Sequence, residues 1–321
     1  RLGTTVVAVT GSSGKTTTKD MLASVLTQLG PVVAPQGSFN NEIGLPVTAL
    51  TCDADTRVLV SEMGARGVGH IAYLCEVTPP DVSVVLNVGS AHLGEFGSRE
   101  AIGRAKSEIV AALGPDGVAV LNADDRIVAG MAELTEAHVV LVGESQAAAV
   151  RAEDVRLDAG RAQFSLVRGD SSAPVALRLV GEHQVANALA TAGVALTLGM
   201  SLAEVAAALS AVESASRWRM EVTARDDGTT IINDAYNANP ESVRAALKAL
   251  VGIAGERRSW AVLGEMRELG EQSALEHDAI GRLAVRLNVD RLVAVGEGAR
   301  AVHLGAAHEG SWGDESTWVA D

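Results

Sequence analysis

The sequence predicts an α/β protein of two domains: a phosphate-loop domain with a mainly parallel sheet and a small antiparallel meander, then a second α/β unit. Three observations predict it. Short β-branched runs alternate with helical stretches from the first residues onward, the mark of right-handed βαβ units around a parallel sheet. Between about residues 150 and 180 this gives way to VRAEDVRL, RAQFSLV and APVALRL, separated by DAG and GDSS turns, which reads as a meander inserted at a sheet edge. Beyond a strand pair, RMEVTA and TTIINDA, the alternation resumes, which places a boundary near residue 222 and gives domains 1–222 and 223–321. A length of 321 residues suits two domains.

The expected strands of the first domain are TTVVAVT (4–10), RVLVSE (57–62), VSVVLNV (82–88), GVAVLNA (117–123) and HVVLV (138–142). Between them, residues 99–113 place Ile102, Ala105, Ile109, Ala112 and Leu113 on one helical face, with Ser98 as N-cap and Gly114-Pro115 as the stop. Helices follow the meander at 183–198, ending at Gly199, and at 201–212. The second unit reads as helix 240–251, strand WAVLGE, helix 273–287 and strand RLVAVG. Asn239 as N-cap, Pro240 at the first helical position and Glu241 in the first turn start the first of these helices. Because the chain opens on a core strand with no lead-in, the expectation is that an upstream domain is missing.

Composition narrows the function classes. With 26 basic and 40 acidic residues the net charge is -14, which speaks against a non-specific nucleic-acid binder. An apolar fraction of 47% provides a core, and 3% aromatic residues leave its filling to aliphatic side chains. Cys52 and Cys75 are too few for a disulfide framework and form no readable zinc site, which fits a reducing cytoplasmic compartment. No apolar run is long enough to span a membrane, so the expectation is a protein without membrane insertion. Only four of the basic residues are lysines, Lys15, Lys19, Lys106 and Lys248, so each of them calls for a reason.

The first reason is chemical. VVAVTGSSGKTTTKDMLASVL sets glycines and a Lys-Thr pair between an apolar strand and an amphipathic helix, where backbone N–H groups and a helix N-terminus surround a phosphate. Val9 stands where the usual Walker pattern has its first glycine, so this is a shorter GxxGK[ST] variant. Gly11, Ser12, Ser13, Gly14, Lys15, Thr16 and Thr17 form the expected cradle, with Lys15 on the β- and γ-phosphates of ATP and the Thr16 hydroxyl on Mg²⁺. Ligands of open parallel sheets gather beyond the carboxyl ends of the strands. There the second strand ends at Glu62, a hard oxygen donor suited to Mg²⁺, and the third leads into a loop carrying His92. Taken singly, Glu62 also fits a surface strand cap and His92 a loop hydrogen-bonder. Lys106 sits beside the buried stripe of the 99–113 helix, where a lysine ordinarily snorkels, but its retention in an arginine-rich chain points to amine chemistry.

TGSSGKTT, SFNNEIGLP, SEMGA, SAHLGEFGS, the Lys106 helix and INDAYNANPES together resemble the Mur ligase family of cell-wall peptide ligases, from about residue 3 to at least residue 300. The resemblance implies three domains: one for a uridine nucleotide, a central ATPase, and a Rossmann-like C-terminal α/β domain. The expectation is that this chain lacks the first and stops short in the last. The activity implied is ATP-dependent joining of D-Ala-D-Ala to UDP-MurNAc-tripeptide through an acyl phosphate, in a cytoplasmic monomer. SFNNEIGLP and NDAYNANP are the segments that favour this member over its siblings.

Carried over residue by residue, the resemblance gives Thr16 and Glu62 as ligands of one Mg²⁺ and His92 with a carbamylated Lys106 as serving a second. The catalytic set is Lys15, His92 and Lys106. GEHQVANALAT brings Asn187, or His183, to the adenine, and SRWRMEV supplies Arg219, with Arg217 as the alternative, to the nucleotide. Asp234 contacts ribose or phosphate-bound metal, and Tyr236 or Asn237 packs near adenine. Asn40 and Asn41, in a polar loop, hydrogen-bond the acceptor peptide. GEMRELG lies near the second substrate through Glu265, Met266 or Glu268, and His277 reads as a surface residue. Two other readings stay open: a sibling Mur-type or folylpolyglutamate-type ligase, and an ATP-binding but catalytically silent fragment.

Overall fold

The computed structural model describes residues 3–89, 93–310 and 315–321. Its first half runs β1 (Thr5–Thr10), α1 (Lys15–Val25), β2 (Val32–Val33), α2 (Gly44–Ala49), β3 (Val58–Glu62), α3 (His70–Val77), β4 (Val82–Val85), the single turn α4 (Leu93–Phe96) and α5 (Arg99–Ala111). After these come β5 (Val118–Asn122), α6 (Arg126–Ala129), β6 (His138–Gly143), β7 (Val150–Asp158), β8 (Arg161–Arg168), β9 (Ser171–Val180), α7 (Gln184–Thr197) and α8 (Leu202–Ala211). All nine strands form one sheet in the order β2-β3-β1-β4-β5-β6-β7-β8-β9. Pairing is parallel from β2 to β7 and antiparallel from β7 to β9, so the meander extends the sheet that it was expected to decorate.

The parallel strands are buried on both faces, which is why they read as continuous apolar runs rather than as alternations. Val7 and Val9 join a core with α1, α7 and α8, while Ala8 faces the opposite core with α3 and α5. Since β1 lies between β3 and β4, the chain leaves it toward one edge and later crosses to its other side. The crevice at such a switch point is where ligands of doubly wound sheets bind.

The second half forms two smaller sheets. β10 (Glu221–Ala224) and β11 (Thr230–Asn233) pair antiparallel. α9 (Pro240–Ala254), β12 (Trp260–Leu263), α10 (Ser273–Arg286), β13 (Arg291–Val295), α11 (Arg300–Glu309) and β14 (Ser316–Val319) complete the unit, with β12-β13-β14 parallel. Asn239 caps α9 reciprocally with Ser242, and Pro240 takes the first helical position as expected.

Several expectations need correction. The third strand ends at Val85 rather than Val88: Leu86 N–H still donates to Thr10 O of β1, but the Asn87 carboxamide engages the phosphate loop and Val88 N–H donates to Asp125 Oδ2. SFNNEIGLP is not a loop throughout, since α2 begins inside it, with Asn41 Oδ1 accepting from the amides of Ile43 and Gly44. α3, α11 and β14 were not expected; the N-terminus of α3 is held by Glu108 of α5, whose carboxylate accepts from Gly69 and Ala72 N–H. His277 is fully buried rather than a surface residue: Nε2 accepts from Met266 N–H and Nδ1 faces Ser273 O. Lys19 also finds its reason, buried with its ammonium on Pro35 O and paired with Asp20.

At the start of α8, Ser201 and Glu204 form a reciprocal capping box. Ser201→Ala is expected to cost about 1 kcal/mol, read as a lower urea midpoint with an unchanged slope.

Candidate active site

The carboxyl ends of β1, β3 and β4 open into a cleft of about 560 Å³, whose far wall comes from residues 219–245 and Glu268. The phosphate loop forms its floor. Gly14, at φ +81°, is the N-cap of α1, and a Cβ there would stand 2.4 Å from Asn187 Oδ1, so both conformation and space demand glycine. Asn87, just past β4, clamps the loop: its Oδ1 accepts from the amides of Ser12 (3.0 Å) and Ser13 (2.9 Å), and its Nδ2 donates to Ser13 O. Gly89 N–H donates to Ser12 Oγ at 2.9 Å. The sequence reading did not single out Asn87; its signal was a carboxamide two residues beyond the strand next to the phosphate-loop strand.

Lys15 Nζ donates to Gly11 O at 2.7 Å, so its ammonium folds back over the loop. Burial pushes its pKa down, Glu62 works against that and Arg219 adds to it. Glu62 ends β3 at 1% exposure. Its Oε1 accepts from Asn40 Nδ2 at 2.8 Å, and its buried Oε2 has no hydrogen-bond partner. Thr16, in the first turn of α1, is buried and lines the same cleft. Lys106 does not snorkel; at 6% exposure it lines the cleft, and burial, with the charge of Lys15, drives its pKa well below the usual lysine value. His92 lies outside the described residues.

The far wall carries the other expected residues. Arg219 stacks over the Tyr236 ring, 4.2 Å from its centroid, and the Tyr236 hydroxyl meets Ser38 Oγ from across the cleft. Trp218 and Met220, on either side of Arg219, have φ values of +61° and +49°. This backbone is strained, and it is held by Tyr236 N–H on Trp218 O and by Met220 N–H on Asp234 Oδ1. Burial raises the Asp234 pKa against the opposing effects of the Met220 amide and Arg219. Arg217 is exposed and does not line the cleft, so the geometry selects Arg219 of the pair; Asn237 also lines it.

Two asparagines have structural tasks. Both ends of the Asn187 amide are engaged, Oδ1 with Thr18 Oγ1 and Nδ2 with Gln184 Oε1, which ties α7 to the helix of the phosphate loop. Asn41 caps α2, whereas Asn40 turns to Glu62. Both Asn40 and Asn41 line the cleft. Thus the fold brings Lys15, Thr16, Glu62, Lys106, Arg219, Asp234, Tyr236 and Asn237 together around one space.

Residues 9–195 match the Mur ligase middle domain, and residues 218–321 match the Mur ligase glutamate ligase domain. The chain belongs to the Mur ligase family. Among Mur ligases it is 56% identical to the UDP-N-acetylmuramoyl-tripeptide--D-alanyl-D-alanine ligase of Mycobacterium tuberculosis, over 97% of this chain and 62% of that protein. The enzyme of the same name from Bacillus subtilis is 34% identical over 92% of the chain and 64% of its own length. The chain therefore spans somewhat under two thirds of these relatives. A MurF crystal structure from Acinetobacter baumannii superposes with a TM-score of 0.90 at 36% identity, covering 98% of this chain and 67% of that one. The Thermotoga maritima MurF in complex with ADP gives 0.84 at 30% identity, covering 98% and 75%.

Beside the Mur ligase cleft, burial lowers the pKa of His183 to about 4. The unfolded chain then binds the extra proton between about pH 6.5 and 4, so stability falls as pH drops through that window. Urea titrations across it are expected to show a shallower pH dependence in His183→Gln.

Proposed function

We propose that this chain carries the catalytic machinery of an ATP-dependent amide ligase joining D-Ala-D-Ala to UDP-MurNAc-tripeptide in peptidoglycan precursor synthesis. The observation that carries this reading is the convergence of the phosphate loop, the buried Glu62 carboxylate and the buried Lys106 amine on one cleft. The relatives' shared name supplies the substrate pair.

A carboxylate is a poor electrophile, so the acceptor carboxylate first takes the γ-phosphoryl group of ATP, forming an acyl phosphate and releasing ADP. The amine of D-Ala-D-Ala then attacks that carbonyl carbon, and phosphate leaves. The chain's part is positioning and charge compensation. The amides of residues 14–17, which Asn87 does not hold, surround the phosphates, and Lys15 swings from Gly11 O onto the β- and γ-oxygens. Arg219, held by its strained segment, reaches the nucleotide from the far wall. Asp234, Tyr236 and Asn237 flank it toward ribose and adenine, with Asn187 supporting the loop from below.

Magnesium fits the donors present. Glu62 Oε2 is a buried carboxylate oxygen lacking a hydrogen-bond partner, and the Thr16 hydroxyl lies in the same cleft. Among the described residues no group of three or more His, Cys, Asp or Glu could cage a metal, which suits an ion held by one carboxylate, water and substrate phosphates. Bound there, Mg²⁺ neutralises charge on the transferring phosphoryl group. A second ion would be served by His92 and a carbamate on Lys106. A buried, neutral amine is the form that adds CO₂, giving a carbamate oxygen donor and one proton.

We read the protein as a monomer. No helix among the described residues is long and apolar enough to cross a membrane, and free Cys52 and Cys75 accord with the cytoplasm. We place the junction of the two domains near residue 222, at the start of the β10–β11 pair.

Lys15→Ala is expected to abolish phosphate release with an unchanged circular-dichroism spectrum; wild-type turnover would remove the phosphate-loop role. Lys106→Ala is expected to be inactive and partly restored by a small carboxylate such as acetate. Activity without any addition would reduce Lys106 to a structural lysine.

A further inference from the structure

Resting on the reading of the cleft as an ATP site, we infer that Ser216 and Asp20 are positioning residues, whose hydrogen bond sets Arg219 against a nucleotide held at the N-terminus of α1. Ser216 lies in the segment between α8 and β10, and its Oγ donates to Asp20 Oδ2 at 2.6 Å. Neither residue lines the cleft, whereas Arg219 does, so the pair acts on the cleft through Arg219.

Asp20 is a fixed acceptor. Its Oδ1 pairs with the Lys19 ammonium, which is buried and also donates to Pro35 O at 3.0 Å. An unpaired charge there would be costly, so Lys19 holds the carboxylate in one orientation and leaves Oδ2 for Ser216. A hydroxyl bonded to a carboxylate at this distance makes one of the stronger, charge-assisted hydrogen bonds. Asp20 lies one helical turn beyond Thr16, and the helix transmits that spacing, so a tie at Asp20 is a tie to the phosphate loop.

The segment beyond Ser216 requires such a tie. Trp218 and Met220 stand at φ +61° and +49°, so Arg219 between them is carried on backbone that persists only where its surroundings enforce it. Trp218 N–H donates to Glu221 Oε2, Met220 N–H to Asp234 Oδ1, and Tyr236 N–H to Trp218 O, all on the β10–β11 pair or just past it. Those bonds shape the segment without relating it to the phosphate loop. Met220 also packs with Val180 of β9, but apolar contact is non-directional and sets no register. Ser216, three residues before Arg219, supplies the directed contact.

The same turn of α1 reaches the other side of Arg219. Pro35, bonded by Lys19, lies three residues before Ser38, whose hydroxyl meets that of Tyr236, and the Arg219 guanidinium lies 4.2 Å from the centroid of the Tyr236 ring. Adjacent residues of one helix thus brace both ends of the Tyr236–Arg219 stack. The charge of Arg219 is felt at Lys15, where it opposes protonation, so the braced guanidinium stands within electrostatic reach of the phosphate loop. A displacement of about 1 Å is enough to forfeit most of what a positioned group contributes.

MgATP binding to the intact protein, followed by calorimetric titration, tests the role without requiring ligation. Ser216→Ala is expected to weaken MgATP binding about tenfold, the scale of one lost hydrogen bond to a charged group, and Ser216→Thr, which keeps the hydroxyl, to recover most of it. In phosphate-release assays KM for ATP should rise with it while KM for D-Ala-D-Ala stays unchanged. Arg219→Ala should weaken MgATP binding at least as much, and adding Ser216→Ala to Arg219→Ala should weaken it no further, because one residue acts through the other. Unchanged affinity in Ser216→Ala or in Arg219→Ala, or losses that simply add in the double variant, would overturn the assignment. Wild-type protein that binds MgATP but releases no phosphate with UDP-MurNAc-tripeptide and D-Ala-D-Ala sinks the ligase reading alone, since the binding cycle still decides the role of Ser216. Wild-type protein that binds no MgATP overturns both.

Discussion

Asn87 holds the phosphate loop to the sheet, and most of the cleft depends on that attachment. Its carboxamide accepts the amides of Ser12 and Ser13 and returns a donor to Ser13 O. The Ser12 and Ser13 amides are spent on Asn87, which fixes the shape of the loop from outside and leaves the amides at the start of α1 to face an anion. The same strand end that provides Asn87 runs on to Gly89, which bonds Ser12 Oγ, and Val88 is fastened in turn by Asp125 and by the Arg99 guanidinium. Strain and close approach concentrate here: Gly14 leaves room for Asn187, which itself bridges α1 and α7.

Around this rigid floor the cleft gathers charge that water does not relieve. Glu62 and Lys106 are deeply buried and Lys15 is half-buried; burial lowers the pKa of both amines, Lys15 lowers that of Lys106 further, and Glu62 favours the charged form of Lys15. Such a set is costly in an empty protein and becomes balanced when phosphate oxygens and divalent metal are added, a direct physical reason for a strong, coupled response to nucleotide. Net charge contributes little to this: at -14 the chain as a whole repels polyanions, so capture relies on local donors.

The second unit meets the first through few but specific groups. Tyr236 bonds Ser38 and carries Arg219 on its face, and Gly94 bonds Glu268 O. An apolar cluster joins them as well, with Val180 of β9 packed against Met220 and Ala249.

How much was legible beforehand follows from the range of each signal. The sequence by itself determined the strand–loop–helix of the phosphate site, the meander, the caps at Ser98 and Asn239, and the family, because those depend on neighbours a few residues apart. It also named Lys15, Thr16, Glu62 and Lys106, since their residue types at strand ends and on one helix carry chemical meaning before folding. Tertiary structure alone decided the rest. The helix α3 owes its N-terminal partner to Glu108, thirty-nine residues beyond Gly69, and Val88 leaves the strand pairing for Asp125. His277 is buried because a backbone amide eleven residues earlier needs an acceptor. Asn87 and Glu268 acquire their places only when distant segments close on one cleft. A buried polar group must find its partner wherever the fold brings one, and no local pattern records that.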